Sequence, residues 1–432
     1  MERSLSVSQG AALSIGAVLG TGVITLPALA VQLAGPASLI AWIALIALSI
    51  PLATTFATMG ARFPDRGGVS TYVERAFGPY AAGAIGWCFF FAIPMAAPPA
   101  GLMAGWYVAD AFGGGRTTAL AVAVVLIAGI GLLNARGLRL SGHVQLCLTA
   151  VLATLIAVAV LVAAPHAQTS NLHPFIPHGW TGVGAAAALL VWGFAGWEAV
   201  APLAGEYRHP HTDLPRATGI AILVVGALYL ALAAVTVLVL GPAAAGSKAP
   251  LSDLLTAGLG GSAKTITAVV AVLLTAGTMN AYYAGVSRLG AALARDGALP
   301  RWLATGGEPG QVPLRSLAVV MVMGLGSLVV TTALGLKLST TMLLATGCFT
   351  TVYVVATGAA VRLLPRGRRP WWIAVLAFAS VFALLLTGLS HLWWAAGIAV
   401  LSAVYRRLTP ARPVCVNPQA ERHPTRGASR SS

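Results

Sequence analysis

The chain is 432 residues long, 58% hydrophobic and only 9% charged, with a net charge of +15. A soluble globule carries about 25% charged residues, so this composition, with a mean hydropathy of +0.85, excludes one and requires a bilayer. The positive charge would suit nucleic acid if it were clustered on a soluble face, but here it sits between apolar runs, and no nucleic-acid partner is expected.

A crossing helix needs about 20 apolar residues. Twelve apolar runs follow along the chain, near 10–34, 36–60, 80–109, 117–135, 142–164, 181–204, 217–241, 264–292, 313–335, 338–361, 371–388 and 391–405. The fold expected is an all-α membrane protein of twelve transmembrane helices, one domain over 1–408, followed by a basic tail from Thr409 to Ser432 that is too polar to bury a core. With the amino terminus inside, all but four of the 26 basic residues fall on cytoplasmic segments, the exceptions being Arg116, Lys248, Lys264 and Lys337. That bias places both termini in the cytoplasm of a bacterial inner-membrane, multi-pass protein. Ala28-Leu29-Ala30 resembles a leader-cleavage site behind Arg3, but Gly20, Gly22 and Pro27 interrupt the apolar run, so no cleaved leader is expected. Cys88, Cys147 and Cys348 lie in apolar runs and read as small core residues, with no disulfide framework or metal-ligand spacing.

The first and sixth runs are broken by glycine, at Leu19-Gly20-Thr21-Gly22-Val23 and Trp192-Gly193-Phe194-Ala195-Gly196-Trp197-Glu198. A helix interrupted at bilayer depth leaves peptide groups that hydrocarbon cannot satisfy, so the gap must face protein, water or a ligand. Paired interruptions in two halves point to the substrate site of a secondary transporter built from inverted repeats. Runs one to five (about 10–164) then repeat as six to ten (about 181–361), and the last two (about 371–405) stand outside the repeat. An odd five-span unit inserts its second copy upside down, which sets the two breaks face to face.

Each break ends one half-helix in free carbonyls and begins the next with free amides. A zwitterion fits this pattern: the carboxylate of an amino acid on the amides of Thr21, Gly22 and Val23, with the Thr21 hydroxyl, and its ammonium on carbonyls near Trp192, Gly193 and Phe194. The competing reading is that Gly20, Gly22, Gly193 and Gly196 only let helices approach closely. Their mid-span placement in repeat-equivalent runs favours the site.

Glu198 is the one acid of eleven deep in an apolar run. An unpaired carboxylate there is costly to ionise, which makes it either a proton-linked group or a hydrogen-bonding fixture of the sixth span. Trp192 is the aromatic best placed to cover a bound solute. The eighth run carries an unusually polar band, Thr275, Thr278, Asn280, Tyr282 and Tyr283, which needs helix partners or a wet cavity. Pro94, Pro98 and Pro99 in the third run are expected to kink the helix and free carbonyls. His166, His173 and His178 read as solvated loop. No nucleophile-base set, phosphate loop or paired intramembrane carboxylate appears, which argues against an enzyme or ATP-driven pump, and no cofactor or metal is expected.

In order along the chain, Leu19 to Ala28, Phe63 to Gly78, Trp192 to Glu198 with Gly205 to Pro210 and Asp213 to Ala217, and Ser287 to Pro300 resemble four motifs of the amino acid-polyamine-organocation superfamily of transporters. Gly20-Thr21-Gly22, Pro94 and the sixth-span pattern are most similar to its bacterial exporters of methionine and branched-chain amino acids. The resemblance implies a leucine-transporter-type fold with a 5+5 inverted repeat plus two helices and main-chain recognition of substrate at the breaks. It also implies Thr21 as a substrate contact, Tyr282 as an aromatic near the site, Trp192 as a gate, and Glu198 as the sixth-span acid of gating or proton sensing. The fifth run, 142–164, holds no Lys or Arg, so the lysine that some proton-coupled relatives use there is missing. Without a second acid in the pocket, a neutral apolar amino acid is favoured over arginine or a polyamine. Export, import and exchange use the same motifs, and a non-transporting amino acid sensor is the alternative from another class.

Overall fold

The computed structural model describes residues 5–63, 69–137, 142–199, 207, 209–261, 263–308 and 311–409. Pro64–Gly68 of the loop motif, Gly205, Glu206 and Arg208 of the sixth-span exit, and residues 410–432 of the basic tail lie outside them. Every named element is helical: α1 (Val7–Val18), α2 (Leu26–Ala34), α3 (Ser38–Arg62), α4 (Val69–Phe77), α5 (Pro79–Phe112), α6 (Gly115–Ala135), α7 (Gly142–Ala163), α8 (Gly179–Phe194), α9 (Pro210–Val235), α10 (Pro250–Leu259), α11 (Ala263–Arg295), α12 (Leu314–Ala333), α13 (Leu338–Leu363), α14 (Arg369–Thr387) and α15 (Trp393–Leu408), joined in part by short 3₁₀ turns. Among the described residues nine helical runs are long and apolar enough to cross a membrane, and Val7–Val18 and Gly179–Phe194 are shorter apolar helices.

Local chemistry accounts for these helices. Ser6 caps α1: its hydroxyl accepts from the Gln9 amide at 3.3 Å while the Gln9 side chain accepts from the Ser6 amide at 3.0 Å, a reciprocal pair that satisfies two otherwise unpaired donors. Buried hydroxyls inside apolar helices donate back to the carbonyl four residues earlier, Ser14 to Gly10 at 2.9 Å, Thr55 to Pro51 at 2.7 Å and Thr218 to Leu214 at 2.8 Å. Such bonds let polar side chains sit where no water can reach them.

The hub is α5, which packs against α6, α11, α12, α13 and α15. Gly101 and Gly105 bring it close to α6. A Cβ on Gly105 would lie 2.3 Å from the Ala119 oxygen, and one on Gly101 2.9 Å from the Ala123 Cα, a small-residue stripe of the kind that lets helices touch backbone to backbone in lipid. The three prolines leave α5 a single helical element. Pro98 has no N–H to offer the Pro94 carbonyl, and the Ser327 hydroxyl of α12 donates to it instead at 2.8 Å. The outward faces remain apolar, with Leu161, Leu223 and Val322 at least 70% exposed, surface that suits acyl chains and not water.

Two helices fall where only loop is expected. In α4, Tyr72, Val73 and Ala76 share one buried face while Glu74 and Arg75 point outward. α10 opens with Pro250 at its first position, where a missing N–H costs nothing. Both are short and amphipathic, so they leave no crossing-length apolar signal. Cys88 and Cys348 are buried as expected, but Cys147 is exposed, because that turn of α7 looks outward.

Candidate functional site

Both breaks are present. α1 stops at Val18, the Gly20 amide turns back to the Val18 oxygen at 2.7 Å, residues Thr21–Ile24 form a 3₁₀ turn, and α2 resumes at Leu26. Pro27 supplies no amide to the turn before it. α8 stops at Phe194; Ala195 is extended, and Gly196 has φ +125°, a conformation that side-chain-bearing L-residues rarely adopt. A Cβ on Gly196 would also lie 2.4 Å from the Ala17 oxygen. The second break therefore packs directly on the last turn of α1.

Tyr229, Glu198 and Tyr353 help to hold the breaks in place. Tyr229 of α9, fully buried, sets its hydroxyl 2.8 Å from the Gly193 oxygen and 3.0 Å from the Val18 oxygen, so one phenol donor serves the carbonyl ends of both interrupted helices. Its ring is fixed edge-on against Trp42 and Phe194. Glu198 turns back on its own break, accepting from the Gly196 amide at 2.9 Å and from the Tyr353 hydroxyl of α13 at 2.5 Å. Glu198 is therefore hydrogen-bonded across the bundle: a tyrosine 155 residues away meets it, a partner that no local pattern reveals.

Between the breaks lies a cavity with ≈ 60 Å³ in which the centre of a water-sized sphere can sit. Ala17, Val18, Gly20, Thr21 and Gly22 line it from the first break, Trp192, Gly193 and Ala195 from the second, Ile93, Ala96, Ala97 and Ala100 from α5, Thr278, Met279, Tyr282 and Tyr283 from α11, and Phe349 from α13. No charged side chain is in this lining. The Trp192 ring lies across the first break, with its Cδ1 2.4 Å from where a Cβ on Gly22 would be, so only glycine leaves it room.

Of the residues singled out from sequence, Gly20, Thr21, Gly22, Trp192, Gly193 and Tyr282 come together around this cavity. Val23, Phe194, Gly196 and Glu198 do not line it. Val23 is fully buried in the core, Phe194 packs on Trp42 and Tyr229, Gly196 touches α1, and Glu198 braces the break. In the polar band of α11, Thr278, Tyr282 and Tyr283 face the cavity, whereas Asn280 accepts from the Asn134 side chain of α6 at 2.8 Å. The prolines of α5 do not line the cavity, but the small residues between and beside them do. Sequence reasoning missed Tyr229 and Tyr353. A lone phenol in a long apolar run is the signal that could have marked each, since buried hydroxyls demand a partner.

A family model described as amino acid permease matches residues 5–410. The chain belongs to the amino acid permease family. The permease is 33% identical over 384 residues to the uncharacterized amino acid permease YecA of Bacillus subtilis (strain 168), covering 88% of this chain and 90% of that one. It is 32% identical over 403 residues to the L-methionine/branched-chain amino acid exporter YjeH of Escherichia coli (strain K12), covering 91% and 94%. The branched-chain amino acid permease BcaP of Bacillus subtilis (strain 168) is 27% identical over 319 residues, 69% of each chain. Family membership and the apolar helices make the permease a multi-pass membrane protein with a small-molecule amino acid substrate, and its relatives are transporters.

Proposed function

We propose that the permease is a secondary active transporter that moves neutral apolar amino acids, of the methionine and branched-chain type, across the bacterial inner membrane by alternating access, as an exporter or proton-coupled antiporter. The observation that carries this reading is the cavity itself: two unwound segments supply main-chain polarity on one side, and alanine, isoleucine, methionine and aromatic side chains without a formal charge supply the rest. The amides of Thr21 and Gly22 open the 3₁₀ turn and, as first donors of a helical turn, find no acceptor within it. They receive the carboxylate, with the Thr21 hydroxyl beside them. The Val18 carbonyl already accepts from the Gly20 amide and Tyr229, so the ammonium falls to the second lone pair of Gly193 and to the Ala17 carbonyl at the negative end of α1. An apolar side chain then lies against Ile93, Ala97, Met279 and Phe349, and Trp192 covers it.

In this reading twelve crossings, arranged as a 5+5 inverted repeat plus two helices, leave both termini in the cytoplasm, and the two repeats rock about the site. Glu198 serves as the gating or proton-linked group, since it bonds to the second break and to α13 at once. The strong similarity to a named exporter supports outward movement, although the cycle itself runs with whichever gradient is imposed.

The experiment is a competition panel in proteoliposomes with pH set separately on each side. Methionine, leucine, isoleucine and valine are expected to trans-stimulate exchange of labelled leucine, and arginine, glutamate and putrescine to leave it unchanged. Equal competition by arginine would overturn the substrate class, and binding without exchange would turn the permease into a sensor.

A further inference from the structure

We infer that Tyr107 is a positioning residue that ties the short helix α10 to the first break, so that the cavity opens toward the α10 end of the bundle only when this tie is released. The role presupposes the transport reading above; the tie itself does not.

Tyr107 lies near the end of α5 and is 1% exposed. Its hydroxyl donates to the Ile24 oxygen at 2.5 Å and accepts from the Leu251 amide at 3.0 Å. One proton and two lone pairs allow both bonds at once. Each partner is a group that ordinary helix bonding leaves over. Ile24 closes the 3₁₀ turn of the first break, and Leu251 is the first N–H of α10 after Pro250, an amide that has no acceptor inside its own helix. A single phenol thus satisfies an orphan on each side, and neither can move away without leaving a buried polar group unpaired, a loss of the order of a whole hydrogen bond.

The same end of α5 grips the rest of the segment around α10. One Asp110 oxygen accepts from the Ser252 hydroxyl at 2.7 Å and the other from the Lys264 ammonium at 3.0 Å, while the Lys248 ammonium sits 3.7 Å above the Trp106 ring centroid. Asp110 and Lys264 are 25% and 37% exposed, so solvent screens that pair and it is easily broken. The hooks from Trp106 and Asp110 reach α10 and its flanks only. Of these three, Tyr107 alone continues to the break, and Ile24 stands two residues beyond Gly22, in the turn whose Thr21 and Gly22 line the cavity. Along α5, Ala100 of the cavity wall lies seven residues before Tyr107, about 10 Å of helix rise. Lifting α10 therefore either drags the turn that carries Thr21 and Gly22 or breaks a buried bond to it, which couples access from this end to the shape of the site.

The test uses the full-length permease in lipid. Hydrogen exchange of Tyr107→Phe is expected to rise in both the 250–259 and the 20–25 segments, and that of Asp110→Asn in 250–259 alone. With labelled leucine, Tyr107→Phe is expected to shift half-saturation at the α10 face by about threefold to tenfold, the worth of one hydrogen bond, while half-saturation at the opposite face stays within about twofold. A general packing defect would instead lower the maximal rate at both faces alike. Cross-linking Asp110→Cys to Ser252→Cys is expected to stop exchange until reductant is added, which examines the movement of α10 with Tyr107 intact. Unchanged exchange at 20–25 in Tyr107→Phe, equal shifts at both faces, or full transport by the cross-linked protein would overturn the inference. Absence of leucine transport in the wild type would overturn the transport reading instead, and hydrogen exchange would still decide the tie.

Discussion

Tyr229 concentrates the logic of the site in one atom. Its hydroxyl meets the carbonyl ends of both interrupted helices, so Tyr229→Phe leaves two buried acceptors short of a donor. Thermal unfolding in detergent is expected to show a loss of about 1–3 kcal/mol, and exchange to fall with it; wild-type stability and rate would mean that the breaks do not lean on this bond. Gly22 and Trp192 form a second linked pair. A methyl on Gly22 would strike the indole, so Gly22→Ala and Trp192→Ala are each expected to cut exchange strongly, and the double variant to lose less than the two losses combined, because the clash is gone once the ring is gone. Strict additivity would separate the two residues. Glu198→Gln is expected to flatten the pH dependence of exchange while the protein remains folded; an unaltered profile would assign Glu198 to bracing Gly196 alone. Residues of this kind were only partly legible beforehand. Gly20, Thr21 and Gly22 announce themselves because an interrupted helix leaves polar backbone out of place in lipid, and Trp192 because it flanks the second break, whereas the side of the unwound chain that faces the cavity is decided by neighbours, which is why Val23 and Phe194 turn to the core instead.

At the level of elements, α5 shows how a helix with three internal prolines stays useful in a bilayer. The Pro94 carbonyl, denied its usual donor by Pro98, is met by Ser327. Ser327→Ala is therefore expected to destabilise the permease by about 1–3 kcal/mol, and Pro98→Ala, which restores an N–H one turn on, to recover part of that loss in the double variant; no recovery would show that the serine acts elsewhere. The breaks were legible as elements because an apolar run cannot be interrupted without consequence. α4 and α10 were not, since nine or ten residues with one apolar face leave no crossing-length signal and find their places only through partners such as α5. The prolines of α5 free a carbonyl, as expected, but the hydroxyl that meets it stands on another helix, which sequence spacing does not display.

For the molecule as a whole, the proposed orientation rests on charge placement, and the outward apolar faces are the surface that suits lipid. Leu161, Leu223 and Val322 look outward, and in the proposed twelve-crossing arrangement the basic residues concentrate on the cytoplasmic connections. A cysteine replacing exposed Lys248 is accordingly expected to react with a membrane-impermeant maleimide in intact cells, and one replacing exposed Arg366 only after the membrane is opened; the reverse would invert the orientation. The membrane class and the helical runs were readable from composition because hydrocarbon enforces them residue by residue. The way distant helices supply Tyr229, Tyr353 and Tyr107 to the two breaks was not, because those contacts span up to 211 residues and depend on packing alone. The central claim is that the two facing breaks together recognise both charged ends of an amino acid. Competition for labelled L-methionine exchange by its amide, which lacks the carboxylate, and by its N-acetyl form, which lacks the ammonium, tests it most directly: each analogue is expected to bind at least about tenfold more weakly than methionine, the cost of one lost charged contact, and equal potency of either would contradict the account.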